Sequence, residues 1–348
     1  MALPPSTLQQ PELINMPDLV LRRIAEYVGF YGVAHLQKVN QRFHDLLEQT
    51  VNLNGVKIVM CQNEIDCQYG SEGTLLTQYK KTRDGCQVII KKYGQEHVKA
   101  DIPKTDFKKV FFDDIERNFA LQKGVLEKLE IHSVGSPDPK FLAKISEFMK
   151  VRNNLLQTKT LHLSVCNGEE VRSILLSLDP TKMQDINIRS QMKRPVLLTT
   201  LEMDRLASLE QWKMAKNIWM WSDLVVPSSS VQHFLHLTNT YLTVESFGVA
   251  DFLRLKQKIL SLDFNRFHIS FKRNLEDKDK IVTLIGKRFE GSILQKYWHF
   301  HVPNHEEDVF RVELTDKYLY MDHMDKTKYL NSRRFSEIPV LQPMFEFP

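Results

Sequence analysis

The chain has 348 residues, 42% hydrophobic and 26% charged, a balance that supports a large folded core and excludes a wholly disordered protein. Its 47 basic and 43 acidic residues leave a net charge of +4 with no block of like sign, which gives no reason to expect a nucleic-acid partner. No run approaches the roughly 18 uninterrupted apolar residues that a membrane span needs, and four dispersed cysteines in a body of this size fit a reducing compartment better than a disulfide framework.

Residues 1–12 are rich in Pro, Gln and Ser and read as a flexible lead. The first ten lack both a basic and an apolar leader segment, so the chain is expected to stay inside the cell, in cytoplasm or nucleus. From Met16 and Pro17 the pattern turns helical. Pro17 sits where a first turn accepts it, and Val20, Leu21, Ile24, Tyr27 and Val28 follow at spacings of three and four. Gly29 and Gly32 interrupt the run, and a second apolar set begins at Val33, Leu36, Val39, Phe43, Leu46 and Leu47. About thirty residues cannot bury a self-sufficient core, so a packet spanning 13–50 would lean on a neighbouring domain or on a partner.

The period then shortens from near 3.6 to 2. Val56, Ile58 and Met60 alternate along a predicted strand, and Thr74–Lys81 and Cys86–Lys92 flank Asp84-Gly85, a strong hairpin signal. A small antiparallel sheet is expected over 51–106, closing near Ile102-Pro103 because Pro cannot donate to a ladder.

From 107 to 280 a theme recurs: paired apolar residues at i and i+2, each in a short extended segment. The pairs are Leu129/Ile131, Leu161/Leu163, Ile186/Ile188, Ile218/Met220, Leu242/Val244 and Phe267/Ile269. Their second members step by 32, 25, 32, 24 and 25 residues, close to a leucine-rich-repeat period. Helical spacing lies between them, as at Phe141, Ile145 and Met149, at Val171, Ile174 and Leu175, and at Phe252 and Leu255. Alternating strand and helix with short connections predicts parallel strands and right-handed crossovers. The expected fold is therefore α+β or α/β: a small helical N-terminus, then a leucine-rich-repeat-like curved solenoid. In 281–348, Tyr297–Val302, Val309–Leu314 and Lys317–Met321 read as strands, the last two joined at Thr315-Asp316 into a hairpin that could close the solenoid's open edge.

Candidate chemistry is sparse. No Gly-x-Ser-x-Gly elbow and no phosphate loop occur. Cys61, Cys67, Cys86 and His97 lack the short spacing of a zinc site, and His299 and His301, alternating on one predicted strand, suit packing as well as ligation. No catalytic residue, metal or cofactor is expected. Trp219 and Trp221 point to the side of their strand opposite Ile218 and Met220. If that side is open they are anchors for a protein target; if it meets the helices they are packing.

The Met-Pro opening with Val20, Leu21, Ile24, Val28, Val33, Leu36, Val39 and Phe43 resembles an F-box, with Met16 in place of the usual Leu and Phe43 in place of a Trp. Together with Val125–Val134, Thr158–Val165 and Asp185–Ser190, it resembles the nematode F-box A class, in which an F-box precedes an FTH domain. The resemblance implies a non-catalytic receptor subunit of an SCF-type ubiquitin ligase. Residues 16, 17, 20, 21, 24, 28, 33, 36, 39 and 43 would dock on a Skp-family adaptor, and through it on a cullin, while the repeat region binds an unidentified protein substrate. The competing expectation is a repeat-type interaction scaffold without a ligase link, in which 16–47 is a cap.

Overall fold

The computed structural model describes residues 53–70, 75–92, 98–122, 124–134, 139–150, 155–192, 195–221, 223–261, 264–273, 275, 277–285, 296–302 and 305–325. Of the N-terminal stretch it describes residues 13, 16–21, 24, 41, 42 and 46. The chain divides into two compact units, Met1–Leu129 with Glu147–Thr158, and Glu130–Ser146 with Lys159–Pro348.

In the first unit β1 (Gly55–Met60), β2 (Glu64–Tyr69), β3 (Leu75–Lys81), β4 (Gly85–Lys92) and β5 (Val98–Pro103) pair antiparallel in chain order. The alternation at Val56, Ile58 and Met60 sends all three side chains inward. The Asp84-Gly85 turn requires its glycine, since an added Cβ would lie 2.2 Å from the Ile102 carbonyl oxygen.

Helix α1 (Phe107–Leu121) starts at Asp106, whose carboxylate accepts from the Lys108 and Lys109 amides, and buries Phe107, Phe111, Ile115 and Phe119 at successive spacings of four. It meets the sheet through an edge-on Tyr79–Phe111 contact at 5.5 Å and through Tyr79 Oη donating to Asp114 at 2.9 Å. Just past its end, the buried Gln122 amide accepts from Leu53 N at 2.7 Å and donates to Leu53 O at 3.2 Å, standing in for a neighbouring strand where the chain leaves the N-terminal stretch.

Strand β6 (Leu126–Ser133) and helix α2 (Pro139–Lys150) each contribute to both units. The second unit continues with β7 (Thr158–Val165), α3 (Gly168–Leu175), β8 (Asp185–Ser190), β9 (Val196–Leu197), α4 (Thr200–Ala207), α5 (Glu210–Met214), β10 (Asn217–Met220) and β11 (Leu224–Val226). After it come β12 (Asn239–Val244), α6 (Val249–Ser261), β13 (Arg266–Phe271), α7 (Lys278–Ile285), β14 (Lys296–Val302), β15 (His305–Leu314) and β16 (Tyr318–Asp325). The sheet order is β6-β7-β8-β10-β12-β13-β16-β15-β14, with the pairs from β7 to β13 parallel and the last three antiparallel.

The fold is mixed α and β around a largely open sheet. The recurring i, i+2 pairs fall on successive sheet strands, and every one of them is buried. The connections between those strands are unequal. Two helices and β9 separate β8 from β10, whereas β11 and a 3-10 segment, Ser228–Phe234, separate β10 from β12. The C-terminal hairpin lies along β13 through β16, giving that edge a partner.

One carboxylate ties two of the connecting helices together. Thr199 and Glu202 form a capping box at the start of α4, Thr199 N donating to Glu202 at 2.8 Å, and the same carboxylate accepts from Gly168 N at the start of α3 at 3.0 Å. Gly168 has to be small, because a Cβ there would sit 2.9 Å from Glu202 Cβ. Burial alone would raise the Glu202 pKa, but bonds from Thr199 and Gly168 and the nearby Arg205 overcome it, and the net shift is downward from 4.5.

Because the folded state holds this proton less tightly than the unfolded chain, the stabilisation is complete above the ordinary carboxylate range and fades as pH falls through the folded pKa. Glu202→Gln should therefore cost about 1 kcal/mol at neutral pH. The difference from the parent should shrink in urea denaturation as pH falls below the ordinary carboxylate range. Gly168→Ala should lower the midpoint at neutral and at low pH alike, because its cost is steric.

Candidate functional site

The described part of the N-terminal stretch begins a helix. Val20 N and Leu21 N both bond to Pro17 O, at 2.9 and 3.1 Å. Leu21 is buried at 2% exposure and Ile24 is half-buried, while Pro17, Leu19 and Val20 face outward, Leu19 at 73%. Arg42 reaches back 24 residues to bond Asp18 at 2.9 Å and also donates to Met16 O at 3.1 Å. This clasp was not legible in the apolar pattern, since it joins two polar residues on separate segments. Val28, Val33, Leu36, Val39 and Phe43 lie outside the described residues.

In the second unit the strand alternation that buries Ile218 and Met220 leaves Trp219 half-buried and Trp221 47% exposed on the opposite side of β10. The two tryptophans thus share the side of the strand that is half-buried or exposed among the described residues. Trp212 and Phe234, close to them in sequence, instead pack edge-on at 5.5 Å within the core.

The strand registers assemble that face into files. One runs His162, Asn187, Trp219, Tyr241, His268, Tyr320 and Glu313 across seven strands. A parallel file runs Thr160, Asp185, Asn217, Asn239, Arg266, Asp322 and Arg311. Its first four members are bonded in series: Thr160 and Asn217 donate to Asp185 at 3.1 and 2.6 Å, and Asn239 donates to Asn217 at 2.6 Å.

Rings dominate the next level. Trp221 donates its indole N–H to Asn187 and carries the Arg189 guanidinium 5.6 Å from its ring centre. Tyr241 lies 6.3 Å from Trp221 and 4.6 Å from His268, which in turn stacks on Tyr318 at 5.3 Å and meets Tyr320 edge-on. Burial pushes the His268 pKa below 6.5, with Glu313 acting against it, so the ring is uncharged at neutral pH. At the far end Arg311 binds Asp322 in a fork at 2.9 and 3.0 Å, and Tyr320 donates to the same carboxylate at 2.9 Å.

At the opposite end Ser164, His132 and Glu130 form a hydroxyl, imidazole and carboxylate series at 2.8 and 3.1 Å. Ser164 is only 4% exposed and sits within β7 rather than on a turn, so a substrate carbonyl has no approach to it. Among the described residues no group of three or more His, Cys, Asp and Glu is placed to hold a metal ion. Cys67 is fully buried and its thiol is pushed up to about 12, chiefly by that burial. His97 lies outside the described residues, and His299 and His301 take positions on β14 opposite Arg311 and Val309. No described helix is long and apolar enough to cross a membrane.

What this side of the sheet offers is rings held at fixed spacing, amides and carboxylates already bonded to one another, and arginines at the margin. A family model described as the FTH domain matches residues 139–287, from the start of α2 past the end of α7. The chain is also similar to F-box A protein 224 of Caenorhabditis elegans, 22% identical over 253 residues, which is 71% of this chain and 63% of that relative. The match thus spans less than two thirds of the relative's length. Both findings support the F-box A family, on the FTH segment in particular; the family-model match begins downstream of the N-terminal helical stretch. No solved structure matches.

The Arg311–Asp322 fork should be the costliest polar contact of this face to break from one side, because Asp322 is buried and would keep an unpaired charge. Arg311→Met should destabilise by about 2 kcal/mol or more once the partial exposure of Arg311 is allowed for. Adding Asp322→Leu should recover most of that loss in denaturant titrations, since the stranded charge is then gone.

Proposed function

We propose that the chain is a substrate-recognition subunit of an SCF-type cullin ubiquitin ligase. The N-terminal helical stretch docks on a Skp-family adaptor, and the open aromatic face of the second unit, including Trp219 and Trp221, holds the protein target. The observation that carries the reading is the likeness to an F-box A protein across most of the chain, joined to a sheet face that presents rings outward. The reading of the parallel strands as a leucine-rich-repeat-like solenoid, with 13–50, 51–106, 107–280 and 281–348 as successive parts, belongs to the same proposal.

In such a complex the chain makes and breaks no bond. It raises the effective concentration of the target's lysines near a ubiquitin-charged enzyme held elsewhere in the assembly. The outward Leu19 and Val20, beside Pro17 and Ile24, supply apolar contact for the adaptor, while Leu21 packs inward and sets the helix orientation. The site of action is the cytoplasm or nucleus.

Co-expression with a Skp-family adaptor followed by size-exclusion chromatography should yield a stoichiometric complex. Pro17→Ala combined with Ile24→Asp should abolish adaptor capture and leave the circular dichroism of the remainder unchanged. A chain that ignores the adaptor would sink the ligase assignment and favour the scaffold reading. In that case deleting residues 1–50 should cause aggregation, as removal of a cap does.

A further inference from the structure

We infer that the aromatic cluster of Trp221, Tyr241 and His268 binds an extended acidic segment of the target, with Arg189 and Arg266 each receiving one of its carboxylates. The inference rests on the reading of the chain as a target receptor and adds the chemistry of what is received.

The argument is one of charge. The carboxylates of this face are satisfied from within: Asp185 accepts from Thr160 and Asn217, Asp322 from Arg311 and Tyr320, and Glu313 from Tyr318. Arg189 and Arg266 are exposed, and among the described residues neither forms an ion pair. Among the described residues around the rings, the charge without an ion-pair partner is therefore positive, carried by Arg189 on β8 and Arg266 on β13.

Between those points lie Trp221, Tyr241 and His268, whose rings offer apolar surface held by stacking and by the indole bond to Asn187. Both arginines are exposed residues; the Arg189 guanidinium lies over the Trp221 ring, and Arg266 stands in register opposite Asp322, whose carboxylate Arg311 already holds. Carboxylates match the guanidinium fork in geometry as well as in sign.

Register sets the spacing. Arg189 and Arg266 are separated by three strand intervals and about four residues along the strands, roughly 19 Å apart, which an extended peptide covers in about six residues. The expected ligand therefore has two acidic residues about five or six apart, with apolar residues between them to lie on the rings. A nucleic-acid strand fits less well, because its evenly spaced phosphates would pass the fixed carboxylates of the same face, whereas a peptide carries charge only where its sequence puts it.

The test is selection of random peptides of about a dozen residues, long enough to span the cluster, on the immobilised full-length chain, with enriched peptides titrated by fluorescence anisotropy. Enrichment of paired Asp or Glu at that spacing is expected. Replacing either acid by its amide, or introducing Arg189→Ala or Arg266→Ala, should weaken binding roughly tenfold. Both substitutions are at exposed positions, and circular dichroism checks that each variant is folded.

Four outcomes overturn the inference: no enrichment, enrichment without acidic residues, undiminished binding by the doubly substituted chain, or tighter binding of a single-stranded RNA oligonucleotide than of the peptides. Adaptor capture measured on the same variants separates the two proposals. Intact capture without acidic-peptide binding removes this inference alone, and peptide binding without capture removes the ligase reading while leaving the face its ligand.

Discussion

The second unit depends on the period of two in a β-strand. In β7, β8, β10, β12 and β13 one side is almost entirely buried and, among the described residues, most of the other side is half-buried or exposed, so a residue's place in the alternation decides its side. A slip of one position would drive Trp219 and Tyr241 inward and turn Ile218 and Leu242 out. The Thr160–Asp185–Asn217–Asn239 series opposes that slip, since its hydrogen bonds exist in only one register. The polar row that keys the strands also aligns the rings into a file, so the ring face and the folding register share one set of contacts.

This explains which parts were legible in the sequence. Pairs such as Leu161/Leu163 and Phe267/Ile269 state their burial outright, because two apolar side chains at i and i+2 can only share a face. The Trp219 and Trp221 side was legible in the same way. What could not be read was how distant strands line up: nothing in the sequence around Tyr241 or His268 shows that they stand side by side, and Arg189 acquires meaning only when Trp221 is beside it.

Other omissions have local causes. Strand β2 pairs through Glu64, Asp66 and Gln68 on its outer side, a composition that reads as loop. Helix α1 buries Phe107, Phe111, Ile115 and Phe119 at spacings of four, yet two adjacent Asp residues and its Phe-rich content obscure the helical signal. Helices α4 and α5 are short, and α4 is defined by its capping box more than by an apolar stripe. The Gln122–Leu53 pairing spans 69 residues and leaves no local signature.

The order of the sheet also bears on how the molecule comes together. From β6 to β13, neighbours in the sheet follow closely along the chain, so each strand closes only a short loop onto the one before it. The β13–β16 pairing departs from that pattern, because α7, β14 and β15 intervene and the chain must turn back antiparallel. Contacts of longer sequence separation carry a greater entropic cost before they form. The parallel part can therefore propagate strand by strand, while Tyr318 and Tyr320 join His268 only once the segment through β16 is available to pair, which makes the ring surface one of the last parts of the sheet to be completed.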